Sequence, residues 1–405
     1  MAGPLQGLKI LDLSRVLAGP WASQMLADLG ADVIKVERPG AGDDTRSWGP
    51  PFLTDAAGDA VEAAYFAAAN RGKRSLALDL ARPEGQAVVR RLALQADVVI
   101  ENFKQGDLAR YGLDYPSLAA AKPGLVYCSI TGFGQDGPHK HRPGYDFMIQ
   151  GMAGFMSITG EAGGEPLRAG VAVADLTTGM YSVIAILAAL RHRDATGEGQ
   201  HVDMALFDVS LGWLANQAQN YLVSGKVPGR VGNTHPNLVP YQLFQTATKP
   251  IIVAVGNDRQ FASFVATLGH AEWAEDPRFR LNRDRIANRG ILVELIAAVL
   301  AGAPAEHWLA AIEAAGVPVG PVNDVAQAFA DPQVAARGLL VEVEHPLAGP
   351  IRTVAQPMKF SATPPDYRLP PPLLGEHSRS ILADAGFAAD EIAALEAAGV
   401  VSQRA

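Results

Sequence analysis

Short apolar segments alternate with helix-compatible segments along the first 130 residues, and this alternation constrains the fold more than any other feature. The apolar segments, most of them containing β-branched residues, are 8–14, 32–37, 75–80, 97–103 and 125–131. The helix-compatible segments between them are 20–29, 83–95 and 107–121. Strands that are apolar along their whole length are typical of parallel sheets covered by helices on both faces. The pattern therefore predicts an α/β fold with a doubly wound, Rossmann-like parallel sheet.

The chain is longer than one hydrophobic core usually supports, since it has 405 residues. The stretch SGKVPGRVGNTHPNLVP that follows Tyr221 is rich in turn-forming residues and is typical of a linker. The strand-like PIIVAVG and several helix-compatible segments come after it. The predicted organisation is a large ligand-binding domain at 1–200, a helix and linker at 201–224, a small α/β domain at 225–330, and a return linker with a C-terminal segment completing the large domain at 331–405.

Charge and cysteine content argue against several classes of protein. The formal net charge is -8 and no block of basic residues is sustained, which disfavours a nucleic-acid partner. The single cysteine, Cys128, lies in the apolar run LVYCSI, so we predict a buried thiol and no intrachain disulfide. The N-terminus lacks the basic and apolar regions of a signal peptide, and the longest apolar run, VIAILAAL, is shorter than a bilayer requires. We therefore expect a cytoplasmic protein without a membrane partner.

Motifs of other enzymes that use this fold are missing. The first predicted strand is followed by SRVLAGPWA, which has one glycine instead of the G-x-G-x-x-G of nicotinamide dehydrogenases. The nine histidines are scattered, with only His139 and His141 close together, so no metal site is predicted. No G-x-S-x-G segment indicates a serine hydrolase.

Asp175 is the first candidate for chemistry. It follows the strand-like VAVA, precedes a predicted helix, and comes after the glycine-rich segment 159–170. One interpretation is a simple N-cap, since aspartate at that position accepts hydrogen bonds from the first turn of a helix. The other is a carboxylate nucleophile, with backbone donors of the glycine-rich segment stabilising a developing oxyanion. Local sequence alone leaves both interpretations open.

Seven segments of the chain, taken together with their order and spacing, carry a resemblance that no single segment would. They are LDLSRVLAGPWASQMLADLGADVIKVERPGAGDDTR, NRGKRSLALDL, ENFKQG, ITGFGQDGP, GYDFMIQ, GVAVADLTTGMY and PPLLGEHS. Together they resemble the CaiB/BaiF family of class III CoA transferases, over a range from about Leu5 to about Val401. The resemblance implies that Asp175 is the nucleophile, forming first an aspartyl anhydride and then an aspartyl–CoA thioester. It also implies an interlocked homodimer, acyl-CoA and small carboxylic acids as reactants, and no permanently bound cofactor beyond the CoA thioesters that are substrate and product.

The resemblance also implies which residues contact CoA, whose phosphates require cationic partners. The positions implied by the resemblance are Arg38, Leu78, Asp79, Ala81, Asn102, Phe103, Arg110, Leu17 and Ala18. The other predicted CoA-binding residues are Arg142, a basic residue on a loop at a strand end, and the nearby Tyr145 and Asp146. Leu17 departs from the family pattern, because formyl-CoA transferases carry glutamine there. Further basic candidates on loops at strand ends are Arg46, Lys73, Arg74, Lys104 and Lys140.

The residue before Asp146 bears on the type of reaction. The α-methylacyl-CoA racemases resemble this chain but carry a histidine where Tyr145 stands, and use it as an acid or base. Tyrosine has an unperturbed pKa near 10 and is a poor base at neutral pH. A transferase is therefore favoured over an acyl-CoA racemase or isomerase. The intact Asp175 region argues against a third possibility, a CoA-binding module without turnover.

Several longer runs are similar to the succinyl-CoA:glutarate branch of the family. They include YCSITGFGQDGP, HPNLVPYQLFQT and PPPLLGEH. This similarity implies a linear dicarboxylate as donor and acceptor, and a distal carboxylate needs a cation or several hydrogen-bond donors. We predict Arg15, Arg168 and His235 for that contact, and either 159–170 or 229–238 as the loop that closes the site.

Overall fold

A computed structural model describes residues 3–404 of the chain. Its internal contacts divide the chain into two compact units. The first unit runs to Phe155, continues through Arg168–Ser224 and resumes at Ala335. The second unit comprises Met156–Leu167 and Gly225–Val334. Each unit has its own hydrophobic core, so the two are described separately.

Strands and helices alternate along most of the chain. The strands are β1 (Lys9–Asp12), β2 (Asp32–Glu37), β3 (Phe52–Thr54), β4 (Ala60–Ala63), β5 (Lys73–Leu78), β6 (Val98–Glu101), β7 (Val126–Thr131), β8 (His201–Ala205), β9 (Tyr241–Phe244), β10 (Ile251–Ala254), β11 (Val319–Pro321), β12 (Leu340–His345), β13 (Gly349–Val354) and β14 (Val401–Ser402). The α-helices are α1 (Ala18–Asp28), α2 (Ala64–Ala69), α3 (Pro83–Gln95), α4 (Tyr115–Ala119), α5 (Asp146–Met152), α6 (Val173–Thr196), α7 (Leu206–Gly212), α8 (Ala215–Ser224), α9 (Asp258–Thr267), α10 (Asn282–Ala287), α11 (Arg289–Leu300), α12 (Ala305–Ala314), α13 (Val325–Ala330), α14 (Pro332–Ala336), α15 (Ser378–Asp384) and α16 (Ala389–Ala397). Short 3₁₀ helices lie at Asp44–Ser47, Ala109–Tyr111, Met156–Ile158 and Ala271–Ala274.

The first unit is built on a seven-stranded sheet with the order β14-β5-β2-β1-β6-β7-β8. All neighbouring pairs are parallel except β14 with β5. From β5 to β8 the strands follow the order 3-2-1-4-5-6 of a doubly wound fold, so the predicted parallel sheet is confirmed. The strand order reverses between β1 and β6, which is where such sheets bind their ligands at the carboxyl ends of the strands.

Successive residues of the central strands pack into different cores, as the two-residue period of a strand requires. Ile10 lies in a core that includes residues of α1 and α6, whereas Leu11 lies in one that includes residues of α3 and α15. Cys128 is fully buried in the first of these cores, and burial raises its pKa to about 12. The predicted buried thiol is therefore confirmed.

Three sequence-based expectations for this unit are wrong in detail. The helix predicted at 107–121 is confined to α4, because Gly112 takes a left-handed conformation (φ 62°) after a 3₁₀ turn and separates the two parts. Part of the range 201–224, predicted as helix and linker, is β8, which pairs in parallel with β7. The VAVA segment before Asp175 is not a strand, because α6 begins within it at Val173.

Helix α6 is longer and more continuous than its apolar run suggested. It has 24 residues and a mean hydropathy of 1.7 over its most apolar window, which would allow it to cross a membrane by length and composition. Half of that window is buried inside the protein. Helices α11 and α12 would be long and apolar enough to cross a membrane only if they are taken as one segment, and they are bent by 114° with respect to each other. Close packing explains the burial of α6, since a Cβ added at Gly179 would lie 2.7 Å from the carbonyl oxygen of Ala18 in α1.

The second unit contains an antiparallel sheet with the order β11-β10-β9. Its core combines aromatic and aliphatic residues of the sheet with those of α9, α11 and α12, including Phe261, Phe264 and Trp308. The predicted PIIVAVG strand is β10 of this sheet.

Candidate active site

A cavity of about 240 Å³ lies at the carboxyl ends of the parallel strands of the first unit. It is lined by the turn between β1 and α1, by loops after β6 and β7, by residues 140–145 and by the start of α6. The predicted site residues that it brings together are Arg15, Leu17, Ala18, Asn102, Phe103, Arg142, Tyr145 and Asp175. Eight of the twenty residues that line this cavity were therefore predicted as site residues.

Asp175 lies inside the first turn of α6 and is not its N-cap. The capping position is Ala172, whose side chain makes no cap hydrogen bond. The carboxylate of Asp146, at the start of α5, accepts the free N–H groups instead, with Oδ1 2.7 Å from the nitrogen of Ala174 and 3.3 Å from that of Asp175. The cap interpretation of Asp175 is therefore wrong, and its carboxyl group lines the cavity.

The environment of Asp175 favours a reactive carboxyl group. Burial, together with the neighbouring charge of Asp146, raises the pKa of Asp175 to about 7. The positive end of the α6 dipole acts in the opposite direction, but helix dipoles shift such equilibria by less than a dry environment does. A carboxylate that is poorly solvated and has no cationic partner is a stronger nucleophile than one in water.

Asp146 was predicted to contact CoA, but both of its oxygens are engaged within the protein. Besides the α6 N–H groups on Oδ1, Oδ2 accepts a hydrogen bond of 2.6 Å from Nε2 of Gln150. Gln150 in turn accepts one of 2.9 Å from the N–H of Ala169. The geometry supports a role for Asp146 in holding the first turn of α6 rather than in contacting an anionic ligand.

A second cavity of about 350 Å³ adjoins the first at the ends of β2, β5 and β6. It brings together the predicted residues Arg38, Leu78, Asp79, Ala81 and Arg110, and shares Arg15 and Phe103 with the first cavity. Its walls combine apolar side chains with four basic and four acidic ones. The basic and apolar side chains suit a ligand that carries both phosphates and an aromatic base. Arg38 is exposed, and within residues 3–404 no acidic side chain forms an ion pair with it.

Asn102 and Arg15 are both engaged in contacts that sequence alone did not indicate. The side-chain oxygen of Asn102 accepts the N–H of Arg15 (2.9 Å), and its nitrogen donates to the Arg15 carbonyl (2.7 Å). The Arg15 guanidinium forms an exposed ion pair with Asp44 at 2.7 Å. Asn102, predicted to contact CoA, therefore holds the backbone of the turn that carries Arg15.

Three of the additional basic candidates are structural, whereas two line the first cavity. Lys73 is fully buried against Asp12, and Arg46 is held between Glu37 and Glu62. Arg74 pairs with Asp32 and with Asp384. Lys104 and Lys140 line the first cavity. Lys73 and Arg74 lie within β5, and a basic residue inside an apolar strand is a signal for such internal pairing.

The remaining predicted substrate residues have other contacts. The Arg168 guanidinium donates to the carbonyl of Ala169 (3.1 Å) and lies 5.8 Å from the ring centre of Phe147. It is not among the residues that line the cavity containing Asp175. His235 belongs to the second unit, where its Nδ1 accepts the N–H of Asn237 (3.0 Å).

Comparison with known proteins decides the family. The model of CoA-transferase family III matches residues 5–378. The chain belongs to this family. It is 54% identical over 381 residues to the succinate–glutarate CoA-transferase of Agrobacterium fabrum, covering 94% of this chain and 95% of that protein. It is 43% identical over 379 residues to the succinyl-CoA:glutarate CoA-transferase of Mus musculus, covering 94% and 86%. A crystal structure of a CaiB/BaiF family protein from Brucella suis superposes with a TM-score of 0.84 at 52% identity, covering 95% of this chain and 100% of that one.

Tyr65, in α2, was not predicted as a site residue from the sequence. Burial raises the pKa of Tyr65, and the charges of Asp175, Asp146 and Asp43 add to the effect. Its ring packs edge-on against Trp48, with ring centres 5.2 Å apart. The only sequence signal was a polar aromatic residue inside the alanine-rich AAYFAAA.

Proposed function

We propose that this protein transfers CoA from succinyl-CoA to glutarate or a closely related dicarboxylate, through covalent intermediates on Asp175. The names of the most similar relatives support the substrates. The observation that carries the chemistry is a carboxyl group with a raised pKa that lines a cavity and forms no ion pair with a basic side chain of residues 3–404. This cavity adjoins a second one whose walls include basic and apolar side chains.

The proposed reaction converts one CoA thioester and one free carboxylate into another CoA thioester and another free carboxylate. The Asp175 carboxylate attacks the thioester carbonyl, a C–O bond forms, and the C–S bond breaks to release CoA thiolate and leave a mixed anhydride. The thiolate then attacks the aspartyl carbonyl, which frees succinate and leaves an aspartyl–CoA thioester. Glutarate reverses both steps, restores the carboxylate and leaves as its CoA thioester. The intermediates are close in energy, so the site needs to exclude water rather than to supply an energy source.

The turn before α1 supports this chemistry. The first N–H groups of a helix have no partner inside the helix, and Leu17 at the N-cap of α1 offers no side-chain acceptor. Leu17 and Ala18 line the same cavity as Asp175. Backbone donors at this position would stabilise the oxyanion that forms when the carboxylate adds to a thioester.

CoA and the dicarboxylate would occupy different parts of this surface. The nucleotide fits the second cavity, with Arg38 and Arg110 toward its phosphates, and Phe103 borders the passage between the cavities. Arg15 is the best placed of the three cations predicted to bind the distal carboxylate, because it lines both cavities and its exposed ion pair with Asp44 is readily exchanged. Arg168 and His235 remain predictions that no observation favours.

The predicted homodimer and cytoplasmic location also belong to this proposal. On α6, Tyr181 and Ile184 are exposed, and Ile184 retains 62% of its accessible surface. Leu222 and Val223 of α8 are exposed to more than 70%. Large apolar side chains of this kind on one unit are typical of surfaces that a second subunit covers.

Mass analysis of CoA products tests the function. We expect succinyl-CoA and glutarate to give glutaryl-CoA and succinate, with much lower rates for monocarboxylates of equal length. Succinyl-CoA alone should leave an adduct on Asp175 that hydroxylamine converts to a hydroxamate, located by peptide mass. Turnover comparable with formate, oxalate or carnitine as acceptor would contradict the substrate assignment, and turnover without any adduct would contradict the covalent route.

A further inference from the structure

The turn between β1 and α1 contains a strained residue. Val16 has a φ of 72°, in the left-handed region that branched side chains rarely adopt. Among residues 3–404, the only other residue besides glycine with a positive φ is Ala215. Val16 lines the cavity with Asp175 and directly precedes Leu17 and Ala18. Strain of this kind persists only where surrounding contacts hold it, and it concentrates at functional sites.

A buried ion pair holds the backbone of this turn on both sides of Arg15. Both oxygens of Asp43 lie 3.2 Å from the backbone nitrogen of Val16, which donates to them. The ammonium group of Lys35 lies 2.9 Å from Asp43 and donates to the carbonyl of Ser14 at 2.9 Å. Since Asn102 binds the N–H and the carbonyl of Arg15, the backbone from 14 to 16 is held by side chains from three other parts of the chain.

This ion pair is charged throughout the working range of pH. Both side chains are fully buried. Burial would raise the pKa of Asp43, but the charge of Lys35 and the hydrogen bonds from Thr45 lower it to about 2. Burial would lower the pKa of Lys35, but the charges of Asp43, Asp12 and Glu37 raise it. A buried ion pair contributes little more to stability than apolar residues in its place would. We therefore expect the Asp43–Lys35 pair to have a second role.

We propose that Asp43, with Lys35 as its partner, is a positioning residue that holds Val16 in its left-handed conformation and so sets the Leu17–Ala18 backbone beside the nucleophile. The inference rests on the proposed function of Asp175. The backbone of Ala18 also contacts α6 closely at Gly179, four residues after Asp175. If Val16 relaxed to an extended conformation, Leu17 and Ala18 would change direction with respect to α6. A displacement of about 1 Å at a reacting centre lowers rates by about a hundredfold.

A double-mutant cycle between Asp43 and Val16 tests this proposal. Glycine adopts the left-handed conformation without steric cost, whereas alanine keeps most of the penalty. We expect Asp43→Asn to lower kcat by about 10- to 100-fold in the Val16 background and by less than about 5-fold in the Val16→Gly background. In the matched Val16→Ala background, the loss should remain about tenfold or more. The KM for succinyl-CoA should change by less than about 3-fold in each pair, because the residue acts on geometry and not on CoA affinity.

Equal losses in the three backgrounds would overturn the proposal, because they would show that Asp43 does not act through the conformation of Val16. If the single variant Asp43→Asn does not fold, the double variants provide the test. We expect soluble, active protein when Asp43→Asn is combined with Val16→Gly but not when it is combined with Val16→Ala. Recovery in neither double variant would contradict the proposal. Asn102→Ala removes the other side chain that holds this turn, at a half-buried position, and should lower kcat with little change in KM. An increased KM with unchanged kcat would assign Asn102 to CoA binding instead and would contradict its role in holding the backbone of Arg15. The hydroxylamine-trapped adduct on Asp175 in the unmodified protein is measured separately, so failure of the proposed function is distinguishable from failure of this inference.

Discussion

Asp175 and Asp43 are two poorly solvated carboxyl groups in the same compact unit whose pKa values are shifted in opposite directions. Burial and the charge of Asp146 raise the pKa of Asp175 to about 7, and no basic side chain within residues 3–404 balances this effect. Burial acts on Asp43 in the same direction, but Lys35 and Thr45 lower its pKa to about 2. A cationic partner therefore separates a carboxylate that holds the backbone from one that remains available for reaction. The following predictions test this difference.

The largest expected effect is the loss of activity on removing the unpaired carboxyl group. Asp175→Ala should lower turnover at least a hundredfold while CoA binding, measured by calorimetry, changes by less than about fivefold. Asp208→Asn is a matched control, because Asp208 is also the third residue of its helix and burial also raises its pKa. Asp208 does not line the cavity, so this control should retain turnover within about twofold. Turnover of Asp175→Ala above about a hundredth of that of the unmodified protein would exclude Asp175 as the nucleophile.

The second expected effect is on stability, and it should have opposite signs at the two positions. In an unfolded chain an aspartate has a pKa of about 3.9. The folded protein binds the extra proton of Asp175 up to pH of about 7, so this group lowers stability progressively as pH rises from about 4 to about 7. Asp175→Asn should therefore raise the free energy of unfolding at pH 8 by on the order of 1–3 kcal/mol, and the gain should vanish near pH 4.

Asp43 should behave in the opposite way. Its folded pKa of about 2 lies below the unfolded value, so its contribution to stability is present above pH of about 4 and is lost as pH falls toward 2. Asp43→Asn removes the ion-pair partner of the buried Lys35, leaving only the charges of Asp12 and Glu37 nearby, and should cost about 3–5 kcal/mol at pH 8. Urea unfolding at several pH values measures both variants. A destabilised Asp175→Asn at pH 8 would show that its carboxylate is stabilised by contacts that the structure does not contain.

The two carboxyl groups also show what a single sequence reveals. The parallel sheet was predicted to within about two residues for β1, β2, β5, β6 and β7, because continuous apolar runs encode strands that are buried on both faces. Asp175 was found because its motif resembles a family. The start of α6 was missed, because the N–H groups of Ala174 and Asp175 donate to the carboxylate of Asp146, which is 29 residues from Asp175 in the chain, and the β-like VAVA gives no sign of this contact.

The residues that position the site were the least accessible to sequence reasoning. Asn102 was expected to contact the ligand, but its amide is committed to Arg15, 87 residues away. Asp43 and Lys35 belong to segments that gave no sign of converging on Val16. Such contacts depend on long-range geometry, which local propensity and periodicity do not contain. Leu17 and Tyr145, by contrast, could be predicted because they lie within motifs.

The smallest expected effect is a shift in the pH dependence of the reaction. Attack on the thioester requires the ionised form of Asp175, so kcat/KM should rise roughly tenfold between pH 6 and pH 8 if its pKa in the free enzyme is about 7. The charge of Asp146 contributes to that raised pKa, and Asp146→Asn removes the charge while keeping an oxygen that can accept the N–H groups of Ala174 and Asp175. The variant should therefore move the acidic limb of the profile to lower pH, so that its relative rate at pH 6 increases. Asp208→Asn should leave the limb unchanged, because Asp208 does not contribute to the pKa of Asp175. If the acidic limb of the Asp146→Asn profile stays at the same pH, burial alone raises the pKa of Asp175. The difference between the pKa values of Asp175 and Asp43 would then come only from the cationic partner that Asp43 has and Asp175 lacks among the described residues.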